Sequence, residues 1–268
     1  MRSATTASDA TEPAPFVMHG GGVDLDGVPV LRNVDLTVDS GRFVVLLGEN
    51  GSGKTTLLRA LLGLTPLTRG TIEVHGTDIA RFNEWHRIAY VPQRLLAATA
   101  VPVSVEEAVA AARISPRHRF RRNRTASREA AKDALIAMGL WSRRHDRLDT
   151  LSGGQQRRAM VARALAAGAS TLLFDEPTAG VDADSELRMA DALADLHAEG
   201  RTIVLVTHDL GTIAELADHV VVLGGLARRD SSVLYDGPPP PPRDLYEHVW
   251  HHSEDLAPPS ERPGLVGE

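Results

Sequence analysis

The segment GENGSGKTT, from Gly48 to Thr56, has the residue types and spacing of a phosphate-binding loop. It matches the pattern G-x-x-x-x-G-K-[ST] and stands between the apolar run FVVLLG and a segment with leucines at helical spacing. Glycines let backbone N–H groups wrap a phosphate, the lysine can reach the β- and γ-phosphates, and a threonine hydroxyl can ligate Mg²⁺. The predicted nucleotide contacts are Gly48, Asn50, Gly51, Ser52, Gly53, Lys54, Thr55 and Thr56.

Two adjacent carboxylates end a second apolar run, TLLFDEPT. Asp175 is positioned to hold Mg²⁺, together with Thr55, and Glu176 to polarise the water that attacks the γ-phosphate. An apolar run that stops in Asp-Glu is common by itself. It becomes informative because a phosphate-binding loop precedes it.

Gln93 in YVPQR and His208 in VTHD are weaker candidates for the same site. A neutral amide at position 93 can contact Mg²⁺ or the lytic water. His208 ends another apolar run, where its imidazole can contact the γ-phosphate. Because a lone histidine at a strand end is more often structural, this assignment depends on the motifs that accompany it.

The segment LSGGQ, which precedes a helical stretch, predicts a second anion-binding corner. A serine hydroxyl and bare backbone N–H groups at a helix N-terminus suit an anion. The residues concerned are Ser152, Gly153, Gly154 and Gln155. The first loop already accounts for one nucleotide, so the sequence raises the question of which phosphate the second corner contacts.

Apolar strand-like runs alternate with helical segments along most of the chain, which predicts an α/β fold with a parallel sheet and helical crossovers. Between about residues 94 and 155, two helical segments follow each other without a strand, so we expect an inserted helical subdomain. Residues 1–14 are polar and predict a disordered tail. After the folded part, 15–237, the prolines that begin residues 238–268 predict a stiff spacer and a loosely ordered tail.

Composition excludes several classes of protein. The chain of 268 residues contains no cysteine, which rules out disulfides and cysteine-based zinc sites. The net charge of −6 argues against a dedicated nucleic-acid binder. No apolar run approaches the roughly 18–20 residues of a membrane span, so any role at a membrane requires another chain to cross it.

Taken together, the motifs resemble those of the ATP-binding subunit of ABC transporters. From about Val23 to Gly237 they occur in that family's order: GENGSGKTT, YVPQR, LSGGQ, TLLFDEPT, AGVD and VTHD. The resemblance implies a P-loop NTPase (RecA-like) core with N-terminal antiparallel β elements and an inserted α-helical subdomain. It also implies ATP and Mg²⁺ as cofactors and a peripheral position on the cytoplasmic face of the inner membrane.

The resemblance also implies which phosphate the second anion-binding corner contacts. In this family two nucleotide domains pack head to tail, so Ser152, Gly153 and Gly154 would contact the γ-phosphate of ATP held by a second copy. Asp182 in AGVD would bridge the two sites. Closure on ATP would move a membrane permease that docks near Gln93 and the helical insert.

One position departs from the family pattern. Alignment of VDLDGVPVL places Leu25 where the family usually has an aromatic residue that stacks on adenine. Leucine can cover one face of the base but lacks the stacking contribution of about 0.5–1.5 kcal/mol seen for aromatic pairs. Phe16 and His19 are the nearby rings that are candidates to replace it.

The stretch YVPQRLLAATAVPVSVEEAV resembles the zinc and manganese importer branch, which implies divalent-metal import and an external metal-binding protein as a further partner. The C-terminal His248, His251 and His252 can bind Zn²⁺ if helical, although a solvated tail is the simpler interpretation. The basic segment 117–128 is interpreted first as a solvated loop. Contact with anionic lipid is the second interpretation, and contact with nucleic acid is the third.

Three alternatives stay open. The first is an ATPase that drives transport of another solute, since this subunit does not touch the cargo. A soluble ABC ATPase that acts on DNA or ribosomes usually has two nucleotide domains or a long coiled coil, and this chain has neither. A regulatory domain with a dead site is disfavoured because Lys54, Gln93, Glu176 and His208 are all present.

Overall fold

The computed structural model describes residues 12–93, 103–113, 124–178, 180–208, 211–224 and 232–241. The strands among them are β1 (Phe16–Leu25), β2 (Val28–Val38), β3 (Phe43–Gly48), β4 (Arg69–Val74), β5 (Thr77–Asp78), β6 (Ile88–Val91), β7 (Thr171–Asp175), β8 (Thr202–Val206), β9 (His219–Leu223) and β10 (Val233–Gly237). The α-helices are α1 (Lys54–Leu61), α2 (Val105–Ala110), α3 (Arg124–Ala137), α4 (Gly153–Ala166) and α5 (Ala183–Ala198).

The larger sheet contains five parallel strands and one antiparallel edge strand, in the order β10-β9-β3-β8-β7-β6. Every residue of β3, β7 and β8 is buried, as expected for parallel strands that are covered on both faces. Parallel strands end at the same edge, which therefore gathers Gly48, Val91, Asp175 and Val206. This arrangement confirms the predicted parallel sheet and brings the predicted site motifs to one edge.

Alternate residues of the central strand β3 belong to two different cores. Phe43, Val45 and Leu47 pack in the core that contains the helices α2 to α5. Val44 and Leu46 pack in the other core, with α1 and the second sheet. The alternation follows from the twofold side-chain period of a strand.

The second sheet is antiparallel, with the order β2-β1-β4-β5. It covers α1, whose Leu57, Leu58 and Leu61 are fully buried between the sheets. The antiparallel elements expected near the N-terminus are therefore confirmed, and they support the helix that begins at the phosphate-binding loop.

A helical layer lies between β6 and β7 in the chain, as the predicted insert requires. Ser104 caps α2 in a capping box with Glu107, and α2, α3 and α4 share one core through Val109, Leu135 and Ala162. The basic segment 117–128 was expected to be a solvated loop, but α3 already begins at Arg124. Residues 117–123 of that segment lie outside the described residues.

In the described part of the chain, no helix combines the length and the apolar character needed to cross a bilayer. Of the predicted N-terminal tail, residues 12–14 are described: Glu12 forms an ion pair with Arg87, and the Pro13 carbonyl accepts a hydrogen bond from Ser40 at 3.3 Å. The predicted histidine cluster, His248, His251 and His252, lies outside the described residues.

Candidate nucleotide site at the carboxyl edge of the parallel sheet

The loop between β3 and α1 requires glycine at two positions. A Cβ on Gly48 would lie 2.4 Å from the Leu223 carbonyl oxygen, and Gly53 has a φ of 97° with a Cβ position 2.7 Å from Leu31 Cδ2. Gly53 is also the N-cap of α1 and supplies no side-chain cap. The N-terminus of α1 therefore opens directly onto the loop, where the helix dipole and free N–H geometry favour an anion.

Lys54 is the first residue of α1 and is only 5% exposed. Its Nζ donates hydrogen bonds to the carbonyl oxygens of Gly48 at 2.6 Å and Glu49 at 2.9 Å. Burial lowers the pKa of Lys54, while the nearby carboxylates of Glu176 and Asp175 oppose that shift. The loop thus holds an ammonium group that can exchange its carbonyl partners for phosphate oxygens.

Asp175 ends β7 and is buried against the same loop. Its Oδ1 accepts a hydrogen bond from the Thr55 hydroxyl at 3.0 Å, and the Tyr90 hydroxyl approaches Oδ2 at 3.5 Å. Burial raises the pKa of Asp175, and the hydrogen bond from Thr55 opposes the rise. Burial also raises the pKa of Tyr90 to about 12, so its hydroxyl remains a proton donor.

Thr55 and Asp175 present oxygen donors of the kind that Mg²⁺ prefers. Within the described residues, no group of three or more His, Cys, Asp or Glu side chains could hold a metal ion. The donor set therefore fits Mg²⁺ that takes its remaining ligands from phosphate and water, and it does not fit an all-protein metal cage.

Glu176 and Gln93 meet at the same edge. The Gln93 Nε2 donates to Glu176 Oε2 at 2.6 Å. Glu176 has a φ of 48°, a left-handed conformation that costs a non-glycine residue on the order of 1–3 kcal/mol. Its backbone N–H donates to the Val206 carbonyl at 3.0 Å, which helps to hold it there.

His208 is exposed and follows the end of β8 by two residues. Since β8 lies between β3 and β7, the structure places His208 on the same edge as the phosphate-binding loop and the carboxylates. A direct role toward the γ-phosphate stays a prediction.

The LSGGQ segment forms the start of α4. Ser152 is the N-cap, and its Oγ accepts from the Gln155 N–H at 3.3 Å while Gln155 Oε1 accepts from the Ser152 N–H at 3.0 Å. Among the described residues, a Cβ on Gly153 would meet no atom within 4 Å, and one on Gly154 would meet only the Gly180 carbonyl oxygen at 3.9 Å. The described part of the chain therefore does not require glycine at either position.

Asp182 has a local role at the start of α5. Its Oδ1 accepts hydrogen bonds from the Ser185 N–H at 2.9 Å and from the Ser185 hydroxyl at 2.8 Å, so Asp182 is the N-cap of the helix. These hydrogen bonds lower the pKa of Asp182. The contact between two nucleotide sites that the sequence suggested for Asp182 stays a prediction.

The three residues considered for contact with adenine lie in different environments. Leu25 is 44% exposed at the end of β1 and pairs across a tight turn with Val28, which is 55% exposed. Phe16 is fully buried in the core, so it is unavailable to stack on a ligand. His19 is exposed, and its Nδ1 lies 4.0 Å from Asp35 Oδ1.

Two residues at this edge were missed by the sequence analysis. Tyr90 lies in the YVPQR motif, from which only Gln93 was predicted to be a site residue. The pairing of β6 with β7 brings the Tyr90 hydroxyl to Asp175. Arg157, on α4, donates from one guanidinium nitrogen to the Glu176 carbonyl at 2.7 Å and from another to the Gln93 carbonyl. No sequence motif pointed to Arg157.

Comparison with known proteins agrees with this geometry. Residues 31–179 match the sequence pattern of the family described as "ABC transporter". The manganese transport system ATP-binding protein MntB of Bacillus subtilis is 37% identical over 208 residues, which cover 75% of this chain and 82% of the relative. The zinc transport system ATP-binding protein AdcC of Streptococcus pneumoniae is 36% identical over 200 residues, which cover 74% and 85%.

Solved structures show the same fold. A structure described as an ATP binding subunit of an ABC transporter superposes with a TM-score of 0.73 over 87% of this chain and 98% of the other, at 23% identity. A putative metal-chelate type ABC transporter gives a TM-score of 0.63 at 26% identity, over 78% and 79% of the chains. The chain has the P-loop NTPase fold, its predicted site residues meet at one sheet edge, and it matches ATP-binding transport proteins over most of their length. It therefore belongs to the ABC transporter family, as an ATP-binding subunit that hydrolyses ATP.

Proposed function

We propose that the chain hydrolyses MgATP to drive import of a divalent metal, zinc or manganese, through a membrane permease. The observation that supports the ATPase chemistry is the convergence of Lys54, the Thr55–Asp175 pair and the Gln93–Glu176 pair on one sheet edge. The cargo is inferred from relatives at 34–37% identity that are named for manganese or zinc transport.

The phosphates of ATP bind in the loop before α1. Lys54 leaves the carbonyl oxygens of Gly48 and Glu49 and pairs with the β- and γ-phosphates, and the N–H groups at the start of α1 add donors. Because Lys54 is buried, its interaction with the phosphates is weakly screened by solvent.

Thr55 and Asp175 would hold Mg²⁺ through their hydroxyl and carboxylate oxygens. The bound ion would supply positive charge that stabilises the charge on the phosphate oxygens. Tyr90 keeps the second oxygen of Asp175 oriented, since its hydroxyl remains protonated.

Glu176 accepts a proton from the attacking water, and Gln93 orients the Glu176 carboxylate through their hydrogen bond. His208, on the same edge, contacts the γ-phosphate. These three roles place the base, its orienting partner and a phosphate ligand around the position where the water attacks.

Two copies of the chain pack head to tail around ATP. Gly153 and Gly154 have space on their side-chain faces that the described residues of this chain do not fill, so a requirement for glycine would come from a partner surface. In that arrangement the Ser152 hydroxyl and the first N–H groups of α4 bind the γ-phosphate held by the second copy.

The subunit works at the cytoplasmic face of the membrane, bound to permease chains, with an external metal-binding protein delivering the cargo. We propose no nucleic-acid partner, which agrees with the net charge of −6. Gln93 and the helical layer are the surface on which we place the permease.

Replacement of Glu176 by Gln tests the ATPase assignment. The variant should bind MgATP, form a stable dimer in size-exclusion chromatography and lose hydrolysis, because the carboxylate that accepts the proton is gone. The exposed Glu73 on β4 provides a control, and Glu73→Gln should hydrolyse ATP as the wild type does. Unchanged turnover in Glu176→Gln would contradict the role of Glu176.

The cargo is tested with the chain purified together with its permease and placed in lipid vesicles. ATP-dependent accumulation of radioactive Zn²⁺ or Mn²⁺ in wild-type vesicles, absent with Glu176→Gln, would support metal import. Hydrolysis stimulated by a different binding protein and cargo, without metal accumulation, would keep the ATPase and discard the metal.

A further inference from the structure

The side chain of Arg157 joins two parts of the site that are far apart in the chain. It lies on α4, the helix that Ser152 caps, and it is partly buried. One guanidinium nitrogen donates to the Glu176 carbonyl at 2.7 Å and the other to the Gln93 carbonyl. Gln93 follows β6 and Glu176 follows β7, so one side chain holds the backbone that follows each of two neighbouring strands.

The chemistry of this contact is specific to arginine. A guanidinium group is planar and presents its N–H donors in a fixed fork, so it can bind two carbonyl oxygens at once. A lysine ammonium has no such fork and would have to choose between the two oxygens or bind them at poorer geometry.

The residues that Arg157 holds are those whose backbone position determines the geometry of the carboxylate. Glu176 occupies a left-handed φ of 48°, with its N–H bound to Val206 and its carbonyl bound to Arg157. With both backbone groups of Glu176 fixed and the Gln93 carbonyl fixed by the same guanidinium, the Gln93 amide meets the Glu176 carboxylate at 2.6 Å.

We propose that Arg157 is a positioning residue for ATP hydrolysis, which holds Gln93 and Glu176 in register and ties both to the helix that begins with the LSGGQ segment. This inference rests on the proposed roles of Glu176 and Gln93. It adds that the N-terminal end of α4, where a second copy's nucleotide would bind, is mechanically connected to the catalytic carboxylate of its own chain through one side chain.

The test compares Arg157→Gln and Arg157→Lys with the wild type. Both variants should lower kcat about 10- to 100-fold, because small displacements of a catalytic group cost rate on this scale, and both should keep KM for ATP within about twofold. Binding of a fluorescent ATP analogue should stay at the wild-type value, since Lys54 and the loop are untouched. The control is Arg163→Gln, an exposed arginine on the same helix, which should keep the wild-type rate.

A double variant separates positioning from general destabilisation. If Arg157 acts through the Gln93–Glu176 pair, the rate loss in Gln93→Ala combined with Arg157→Gln should be smaller than the product of the two single losses. Losses that multiply, a wild-type rate in Arg157→Gln, or full activity in Arg157→Lys would each overturn the proposal. Should Arg157→Gln fail to fold by thermal melting, the Arg157→Lys variant, which keeps the charge, decides the question by the same kcat measurement.

The result also separates this inference from the proposed function. Loss of hydrolysis in Glu176→Gln with normal hydrolysis in Arg157→Gln would reject the positioning role alone. Absence of hydrolysis in the wild type and in Arg163→Gln would reject the proposed ATPase function itself.

Discussion

The side-chain amide of Gln93 donates to the carboxylate of Glu176 across 2.6 Å, although 83 residues separate them in the chain. The contact joins the segment that follows β6 to the segment that follows β7. A neutral donor in this position orients the carboxylate and leaves it able to accept a proton from water.

A second carboxylate at position 93 would disturb this pair through charge. In Gln93→Glu, two carboxylates at hydrogen-bond distance repel and share a proton, so the pair becomes fully ionised only at higher pH. We expect kcat at neutral pH to fall and the acid limb of the kcat–pH profile to move to higher pH. Steady-state ATPase assays across the pH range measure both effects.

The exchange variant Gln93→Glu with Glu176→Gln serves as the control for that measurement. It keeps one amide and one carboxylate in the pair but moves the carboxylate to the other residue. Hydrolysis should be absent in the exchange variant, as in Glu176→Gln alone. Recovery of the wild-type rate would show that the position of the carboxylate is unimportant.

Alanine at two glycines should have opposite consequences for folding. Gly53→Ala adds a Cβ 2.7 Å from Leu31 Cδ2 at a φ of 97°, so we expect a clear loss of Tm. Gly153→Ala adds a Cβ that meets no described atom within 4 Å, at the first position of α4. Alanine is favoured over glycine by about 0.5–1 kcal/mol in helix interiors, so Tm should stay or rise at this helix end. Thermal melting of the two variants provides the comparison.

The same Gly153→Ala variant should hydrolyse ATP poorly if a partner's nucleotide occupies that space. Dimer formation in the Glu176→Gln background then measures whether the added methyl group prevents closure. A Gly153→Ala protein with normal hydrolysis and normal dimer formation would count against the head-to-tail arrangement.

Removal of the cap at Asp182 should destabilise α5 in a pH-dependent way. Hydrogen bonds from Ser185 lower the pKa of Asp182, so its contribution to stability is complete above the ordinary pKa of an aspartate and is lost as pH falls through the lowered value. We expect Asp182→Ala to melt below the wild type at neutral pH, with the difference in Tm shrinking in acid. Asp182→Asn keeps an N-cap side chain without titration and should lie between the two at neutral pH.

An aromatic residue in place of Leu25 should strengthen nucleotide binding. Leu25→Tyr keeps a residue suited to an exposed strand end and adds a ring, which contributes about 0.5–1.5 kcal/mol, or roughly 2- to 12-fold in affinity, if it stacks on the base. Titration with fluorescent ATP and GTP analogues measures affinity and selectivity. Val28→Tyr, at the cross-strand neighbour, is the matched control, and equal gains from both variants would contradict a specific place for Leu25 at the base.

The sequence identified the motifs of this site but not their mutual contacts. Thr55 and Asp175 were assigned to the same ion from their types, and the structure joins them by a hydrogen bond of 3.0 Å. Gln93 and Glu176 were assigned separately, because their contact depends on β6 lying next to β7 in the sheet order. That order is a property of the assembled sheet and has no local signal.

Arg157 and Asp182 illustrate two different limits. The direction of the Arg157 side chain depends on how α4 packs against the ends of β6 and β7, so nothing in its neighbourhood along the chain indicates the contact. For Asp182 a signal existed, since an aspartate immediately before a helical segment is a preferred N-cap. The family resemblance drew attention to a partner contact, and the local role of the side chain was overlooked.

The position of β3 between two cores has a consequence for the slow motions of the protein. Val44 and Val45 are adjacent in the chain but belong to opposite cores, so neither core can open without freeing this strand. Amide hydrogens of β3 should therefore exchange with solvent only when the whole domain unfolds. The phosphate-binding loop begins at Gly48, directly at the end of that strand, and so it is anchored in the part of the molecule that opens last.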